Sequence, residues 1–286
     1  MRVFIFGGSG LIGSAVTRAL ADAGHEPIGL ARSEASAGKI CAAGGTPVHG
    51  DATDPASWFA HVLQADAIIQ AAADFSGDPA EAEEVIIETL LSERKRLGSK
   101  RFVYTGGCWL YPERTDPPLS EADAFEPLPP FEYMVRNRER LLVADYDLVT
   151  VHPAIVWREG SGFLAEYAGS ITQGSKIEVV GSLSTLWPLV HADDIAELYR
   201  LALEKGRHGQ DYLGVADPGV AVGAIIEQVE SEVNATGRVT VVPVEEAIAS
   251  HGSWIAGQAR SQRIETHKAK DDLGWSPSIL FMDRKC

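Results

Sequence analysis

Four glycines follow the first apolar run of the chain, in the segment VFIFGGSGLIGSAV. The run VFIF predicts a buried strand, and an amphipathic helical pattern starts at Leu11. A strand-to-helix turn that receives a diphosphate must be tight, must admit the phosphates to the backbone and must pack the helix closely on the strand. Glycine meets all three demands because it has no Cβ atom. The segment therefore predicts a diphosphate-binding turn, in which either Gly7 or Gly8 precedes Gly10 and Gly13.

The start of the predicted helix adds a second source of anion binding. The first N–H groups of a helix have no partners within it, and the helix dipole places a partial positive charge at the same end. We therefore expect the diphosphate to be held at this end of the segment, by Ser9, Gly10, Leu11, Ile12 and Gly13.

The segment GLARSEA, at the end of the second predicted strand, carries an arginine where dinucleotide-binding folds often carry an acid. An acid here binds the adenosine ribose hydroxyls, whereas a guanidinium binds a 2′-phosphate through paired charge-assisted hydrogen bonds. Arg32 and Ser33 therefore favour NADP(H), and the nearby Glu34 leaves NAD(H) as the alternative. After the third strand, HGDATDP places Asp51 and Ala52 where an adenine edge would lie, unless Asp51 is an ordinary turn residue.

Strand and helix patterns alternate along the first half of the chain. The strands are predicted at VFIF, PIGLA, TPVHG, AIIQAA, RFVYT and YDLVTVH. This alternation predicts an α/β fold, a Rossmann-type doubly wound parallel sheet over residues 1–152. Residues 153–286 are expected to form a smaller α+β lobe that binds the substrate and contributes elements back to the sheet.

Two later segments allow a functional and a structural interpretation. Residues 111–130, YPERTDPPLSEADAFEPLPP, hold six of the fifteen prolines. We expect a long loop without regular structure there, either a wall or lid over a site or a stiff surface connection. His191 with Asp193 and Asp194 is expected to start a helix rather than to bind a metal.

Composition narrows the class of partner. The 286 residues are 45% hydrophobic and 23% charged, an ordinary globular balance, and the net charge of -15 disfavours nucleic acid and anionic membranes. Cys41, Cys108 and Cys286 have no CxxC spacing, which argues against a zinc site or a disulfide framework. We predict a cytoplasmic protein with a small-molecule substrate and without a metal, a nucleic-acid partner or a membrane partner.

Several segments together resemble the short-chain dehydrogenases/reductases, in the extended or atypical branch named after NAD-dependent epimerases/dehydratases. They are FGGSGLIG, GLARS, HGDATD, AIIQAAA and RFVYTGG, followed by VHPAIVWREGSG, WPLVHADDIAELYRLALE and KAKDDLGWSP. The resemblance implies the glycine spacing that starts at Gly7, and it also implies a homodimer as one form of assembly. The further residues that it places at the cofactor are Ala71, Ala72, Ala73, His152 and Pro153.

The resemblance also implies a catalytic Ser/Thr–Tyr–Lys set. In that set the tyrosine is the general acid/base, and a lysine four residues later lowers its pKa. Tyr133 is the tyrosine candidate, but Asn137 stands at the lysine position and Gly107 at the hydroxyl position. Thr105 is expected to reach the substrate from the strand end, and Arg136 offers a cation near Tyr133. Alternatively, VRNRE resembles atypical members with Arg-x-x-Glu, in which Tyr133 only packs.

Three functions remain open at this point. The first is an NADP(H)-dependent oxidoreductase that acts on a small carbonyl or alcohol substrate by hydride transfer. The second is a sugar-nucleotide epimerase or dehydratase, which would use NAD. The third is a non-catalytic NADP(H)-binding sensor, suggested by the incomplete catalytic set. Trp109, Trp157 and Trp187 are expected either to wall an apolar substrate pocket or to pack the two lobes together.

Overall fold

The computed structural model describes residues 1–73 and 79–284. Within these residues the strands are β1 (Arg2–Phe6), β2 (Glu26–Ala31), β3 (Thr46–His49), β4 (Ala67–Gln70), β5 (Arg101–Thr105), β6 (Arg114–Leu119), β7 (Asp147–Pro153), β8 (Ile155–Trp157), β9 (Lys176–Val180), β10 (Leu186–His191), β11 (Asp211–Gly214), β12 (Asp217–Ala221), β13 (Arg238–Val242) and β14 (Gln262–Ile264). The helices are α1 (Leu11–Asp22), α2 (Glu34–Ala42), α3 (Pro55–Gln64), α4 (Pro79–Ser92), α5 (Arg94–Leu97), α6 (Glu132–Val143), α7 (Gly162–Thr172), α8 (Ala192–Lys205), α9 (Val222–Val233), α10 (Val244–His251) and α11 (Lys268–Leu273).

The central sheet has seven strands in the order β11-β7-β5-β4-β1-β2-β3, within the described residues. All of its pairings are parallel. The strand order reverses between β1 and β4, and ligands of such sheets bind outside the carboxyl ends of the strands at that point. The expected Rossmann-type doubly wound sheet is therefore confirmed.

Strand β1 shows why helices cover both faces of the sheet. Val3 and Ile5 pack on the side of α1 and α8. Phe4 and Phe6 alternate with them and pack on the opposite side, where Phe6 meets the Trp58 ring of α3 at 5.0 Å between centroids. All five side chains are fully buried, and burying one large apolar side chain contributes about 1.5–3 kcal/mol.

The second half of the chain builds a lobe and also completes the sheet. Strand β11 pairs with β7 at the sheet edge, and α8 packs against α1. The lobe itself contains the sheet β12-β10-β8 and the pair β13-β9. Trp157 and Trp187 are buried in its core together with Phe281, so these two tryptophans pack the lobe and do not wall a pocket.

The proline-rich segment is more regular than expected. It contains β6, which pairs in parallel with β14, so the expectation of a loop without regular structure is wrong for this part. Gln262 Nε2 donates to the carbonyl oxygens of Cys108, Tyr111 and Pro112 at 2.8, 3.0 and 3.0 Å. These bonds clamp the start of the segment, which therefore has the properties of a stiff connection.

The expected helix does start after β10, and a histidine caps it. His191 is the N-cap of α8, and its Nδ1 accepts from the Asp193 N–H at 3.2 Å. Asp194 instead accepts from the N–H groups of Ser278 and Ile279 at 3.0 and 2.8 Å. Across residues 1–73 and 79–284, no set of three His, Cys, Asp or Glu side chains is arranged to hold a metal. In the same residues no helix is both long and apolar enough to span a bilayer.

Candidate active site

The glycine turn between β1 and α1 fits the spacing that starts at Gly7. Gly7 has a φ of +82°, and a Cβ atom on it would lie 2.5 Å from the Ala71 carbonyl oxygen. A Cβ on Gly13 would lie 2.0 Å from the Gly7 carbonyl oxygen. At Gly8 the nearest atom to a Cβ would be the Gly29 Cα at 3.4 Å, an ordinary contact. The close approaches therefore require glycine at the first and last positions of GxxGxxG and not at Gly8.

The amino-terminal end of α1 is left open for an anion. Gly10 is the N-cap of this twelve-residue helix, makes no side-chain cap bond, and no acid lies in the first turn. Thr17 Oγ1 donates to the Gly13 carbonyl oxygen at 2.7 Å, which ties the helix to its own first turn. Such an end has N–H groups and a partial positive charge to offer.

Two adjoining cavities lie along the carboxyl ends of the central strands. The first has a volume of about 530 Å³ and runs from the glycine turn towards the ends of β2 and β3. The predicted residues that line it are Gly7, Ser9, Gly10, Arg32, Asp51, Ala52, Ala71, Ala72 and Ala73. Most of the residues expected to hold a cofactor are thus brought together.

The polar end of the first cavity uses a different serine from the one expected. Ser33 is the N-cap of α2, where its Oγ accepts from the Ser36 N–H at 3.2 Å, and Ser36 lines the cavity instead. Glu34 lies 3.8 Å from His49 Nε2 and is not among the described lining residues. Asp51 accepts from the side chain and backbone of Thr53 at 2.7 and 2.8 Å. These hydrogen bonds, together with the charge of Arg32, hold the pKa of Asp51 below its usual range.

The second cavity, of about 360 Å³, is mostly apolar. It shares Gly10 and Ala71 to Ala73 with the first cavity. Predicted residues in its lining are Leu11, Ile12, Thr105, Trp109 and Pro153. Its other apolar walls come from Cys108, Leu110, Phe131, Met134, Ala154, Ile155 and Val156. Burial raises the pKa of the Cys108 thiol to about 12, so this thiol stays protonated.

Thr105 lines the second cavity with its hydroxyl already engaged. Its Oγ1 lies 2.5 Å from the Gln70 carbonyl oxygen and 2.6 Å from the Tyr199 hydroxyl. Because a carbonyl can only accept, Thr105 donates its single proton to Gln70 and accepts from Tyr199. The hydroxyl can therefore accept a further hydrogen bond but has no proton for a substrate oxygen.

His152 packs against the turn that follows β5. The side chain is fully buried and is not among the described lining residues, although Pro153 is. A Cβ on Gly106 would lie 2.2 Å from His152 Nδ1, and that nitrogen accepts from the Gly107 N–H at 3.3 Å. The other ring nitrogen then carries the proton and donates to Asp211 Oδ1 at 3.1 Å. The structure thus places the ring under the turn that follows β5, and contact with a cofactor stays a prediction.

The positions of the catalytic set are occupied in an unusual way. Tyr133 is 6% exposed and is absent from the described cavity linings, so its catalytic role stays a prediction. Asn137, at the lysine position, is fully buried and donates from Nδ2 to Glu83 Oε1 at 3.0 Å. Arg136 contacts Glu84 at 3.5 Å and is absent from the linings of both cavities.

Glu83, which sequence reasoning missed, lines both cavities. It is 3% exposed, and burial raises its pKa despite hydrogen bonds from Tyr104, Asn137 and Gln70. The sequence does carry a signal for this residue. Glu83 begins the i, i+3, i+4, i+7 stripe of α4, whose other members are the fully buried Ile86, Ile87 and Leu90. An acid in an apolar stripe is a candidate functional residue.

The fold and the cleft define the class of protein. A GxxGxxG turn joins the first strand to an open helix end, at the point where a doubly wound sheet reverses its order. This arrangement is that of the extended short-chain dehydrogenases/reductases. The profile of the NAD dependent epimerase/dehydratase family matches residues 3–213, and the chain belongs to this family.

Two relatives and a solved structure are similar to this chain. An uncharacterized protein of Schizosaccharomyces pombe is 28% identical over 293 residues, which cover 99% of this chain and 98% of the relative. A 4-hydroxy-2-methyl-3-oxo-4-farnesyl-3,4-dihydroquinoline-1-oxide ketoreductase of Stigmatella aurantiaca is 27% identical over 74% of this chain and 67% of its own length. The UDP-glucose 4-epimerase of Thermus thermophilus, solved with NAD, has a TM-score of 0.84 at 17% identity, over 99% of this chain and 96% of that one.

Proposed function

We propose that the protein is an NADP(H)-dependent oxidoreductase that transfers hydride between the cofactor and a small, uncharged carbonyl or alcohol substrate. The observation that carries this proposal is the division of the cleft. One cavity, called the polar cavity below, has charged side chains such as Arg32 and Asp51 in its lining. The adjoining cavity has mostly apolar walls, and its described lining has no Lys, Arg or His.

The residues present fit a dinucleotide. Glycine at positions 7 and 13 lets α1 pack directly on the backbone that leaves β1, and the open end of α1 lines the cleft through Gly10. Gly7, Gly10 and the first turn of α1 would hold the diphosphate, and Asp51 with Ala52 would border the adenine end. When bound, the cofactor supplies or accepts a hydride beside the apolar cavity.

The polar cavity supports NADP(H) over NAD(H). Arg32 belongs to its lining and supplies a guanidinium suited to a 2′-phosphate. The neighbouring acid, Glu34, lies on the side of His49, 3.8 Å from its Nε2, outside the described lining. The carboxylate that would repel the extra phosphate is therefore not part of the described lining that contains Arg32.

The apolar cavity supports an uncharged substrate. A nucleotide sugar carries a diphosphate that needs cations or N–H donors, and the described lining of this cavity offers no cationic side chain. The Stigmatella aurantiaca relative is named for a ketoreductase of a dihydroquinoline oxide that carries a 3-oxo group and a farnesyl chain. Turnover of UDP- or dTDP-sugars with retained NAD would instead favour an epimerase or dehydratase.

The test combines cofactor titration with a substrate panel. Isothermal calorimetry should show tighter binding of NADPH and NADP⁺ than of NADH and NAD⁺. NADPH oxidation should then rise above background with apolar ketones or aldehydes, and not with UDP- or dTDP-sugars. Binding of NADPH without turnover of any compound would favour a non-catalytic sensor, and no binding of any of the four would overturn the proposal.

A further inference from the structure

Glu83 occupies the junction of the two cavities. It belongs to the lining of both, although only 3% of the residue is exposed. A buried carboxyl group is costly unless it is hydrogen-bonded or protonated. Its position between the predicted cofactor half and the predicted substrate half gives it access to the place where the two would meet.

The hydrogen bonds around Glu83 suit both of its protonation states. Oε2 accepts from Gln70 Nε2 at 3.1 Å, and Oε1 accepts from Asn137 Nδ2 at 3.0 Å and also contacts the Tyr104 hydroxyl. The Tyr104 hydroxyl lies 3.2 Å from the Met134 carbonyl oxygen, which can only accept. When Glu83 is ionised, Tyr104 donates to it. When Glu83 is protonated, it donates to the Tyr104 oxygen, and the Tyr104 hydroxyl turns its O–H to donate to the Met134 carbonyl oxygen.

We propose that Glu83 is the proton donor for the substrate oxygen, in the role that the family assigns to a tyrosine. This inference rests on the proposed function. In carbonyl reduction the hydride from the reduced cofactor brings two electrons to the carbonyl carbon, and the C=O π pair moves onto oxygen. That oxygen takes the proton from the Glu83 carboxyl group and becomes an alcohol. The remaining carboxylate keeps its bonds to Tyr104, Asn137 and Gln70, and takes a proton from water before the next cycle.

The surroundings of Glu83 favour the protonated form of its carboxyl group. Burial is the main cause that raises the pKa of Glu83, and the charge of Glu84 adds to it. Burial also raises the pKa of Tyr104 well above its usual range. The charged and titratable groups on the packed elements are Tyr104 on β5, Glu84 on α4, and Tyr133, Arg136 and Arg140 on α6. Both arginines pair with Glu84, and Arg140 also donates to Asn137 Oδ1 at 3.3 Å.

The missing lysine makes a carboxylic acid the better donor. A phenol with a pKa near 10 needs an adjacent cation to exchange protons readily at neutral pH. Asn137 stands where that cation would be, and its amide is used to hold Glu83. A carboxyl group with a raised pKa needs no such cation, because burial alone tunes it.

The experiment compares E83Q with Y133F and with the matched control E84Q. Glu84 is the neighbouring acid, and it pairs with Arg136 and Arg140. NADPH affinity should stay within about threefold of wild type in all three. Single-turnover reduction of the best carbonyl substrate should fall by about a hundredfold or more in E83Q and by less than about fivefold in the other two. Wild-type activity should decline as pH rises and Glu83 ionises, and E83Q should lack this decline.

A second readout does not depend on turnover or on the variants. Infrared spectra of wild-type protein with carboxyl-labelled glutamate should show a protonated carboxylic acid at neutral pH, and the glutamate label separates it from buried aspartates such as Asp217. A labelled protein without this band would overturn the inference, even if E83Q did not fold. So would an active wild type whose rate E83Q retains, or a loss confined to Y133F. Failure of the proposed function is distinct, because the wild type itself would then reduce no carbonyl compound, and this would overturn both.

Discussion

A Cβ atom on Gly13 would lie 2.0 Å from the carbonyl oxygen of Gly7. The first turn of α1 thus rests directly on the backbone that leaves β1, and the space that a side chain would fill is absent. This contact fixes the open end of α1 at the point where the strand order reverses. It ties the fold and the proposed diphosphate site to the same pair of residues.

We predict that Gly13→Ala loses both stability and cofactor binding. The added methyl group collides with backbone that cannot move aside cheaply, so the free energy of unfolding should fall by about 1–3 kcal/mol. Urea unfolding and calorimetric titration with NADPH measure the two effects. Gly8→Ala is the matched control and should change neither, since its Cβ meets an ordinary contact at 3.4 Å. Equal behaviour of the two variants would contradict this account of the turn.

We predict that Arg32→Gln weakens NADPH binding by about ten- to a hundredfold, the range expected for lost hydrogen bonds to a charged group. NADH binding should stay within about threefold of wild type, because NADH lacks the 2′-phosphate. Calorimetry with both cofactors measures the two affinities. Arg263→Gln removes an exposed arginine that is outside the described cavity linings and serves as the control. An equal loss for NADH and NADPH would mean that Arg32 does not discriminate between them.

Much of the lining of the first cavity could be predicted because its signals are local. The glycine turn, Arg32 and Asp51 lie at strand ends, and a strand end in a parallel sheet is already at the correct edge. Ser33 was expected in the cleft and instead caps α2, because a serine before a helix is drawn to its first free N–H groups. At this end of the cleft the lining contains Ser36 instead, one helical turn further on.

The surroundings of the second cavity could be predicted less well because they depend on packing between distant elements. His152 lies in β7 after an apolar run. Its ring accepts a hydrogen bond from the Gly107 N–H and packs against the rings of Tyr111 and Phe125, and no local pattern predicts these contacts. The exposure of Glu83 on α4 depends on α6, which lies more than forty positions further along the chain. Nothing local indicates that Asn137 on α6 hydrogen-bonds this carboxyl group.

Thr105→Val should destabilise the protein by about 1–3 kcal/mol, because the buried Tyr199 hydroxyl loses its acceptor. Thr105→Ser keeps the hydroxyl and should retain most of the stability. In a Tyr199→Phe background the cost of Thr105→Val should shrink, since the orphaned donor is then gone. Thermal unfolding of wild type, Thr105→Val, Tyr199→Phe and the double variant gives the coupling energy. A cost unchanged by Tyr199→Phe would show that the two hydroxyls are not coupled.

Asp211→Asn should lower the free energy of unfolding by about 3 kcal/mol at neutral pH, the usual cost of breaking a buried ion pair. Asp211 Oδ1 accepts from Arg138 Nε at 2.7 Å and from His152 Nε2 at 3.1 Å. Burial alone would raise the pKa of Asp211, but the hydrogen bonds from His152 and Arg138, together with the charge of Arg138, lower it below its usual range.

Because this pKa is lowered in the folded state, the ionised carboxylate stabilises the protein above the unfolded-state pKa of about 4. That stabilisation is lost as the pH falls through the lower folded-state value. The difference between wild type and Asp211→Asn should therefore be constant near neutrality and shrink below about pH 4. Urea unfolding at a series of pH values measures it, with the exposed Asp22→Asn as control. A difference that persists unchanged into acid would mean that Asp211 acts through shape rather than through its charge.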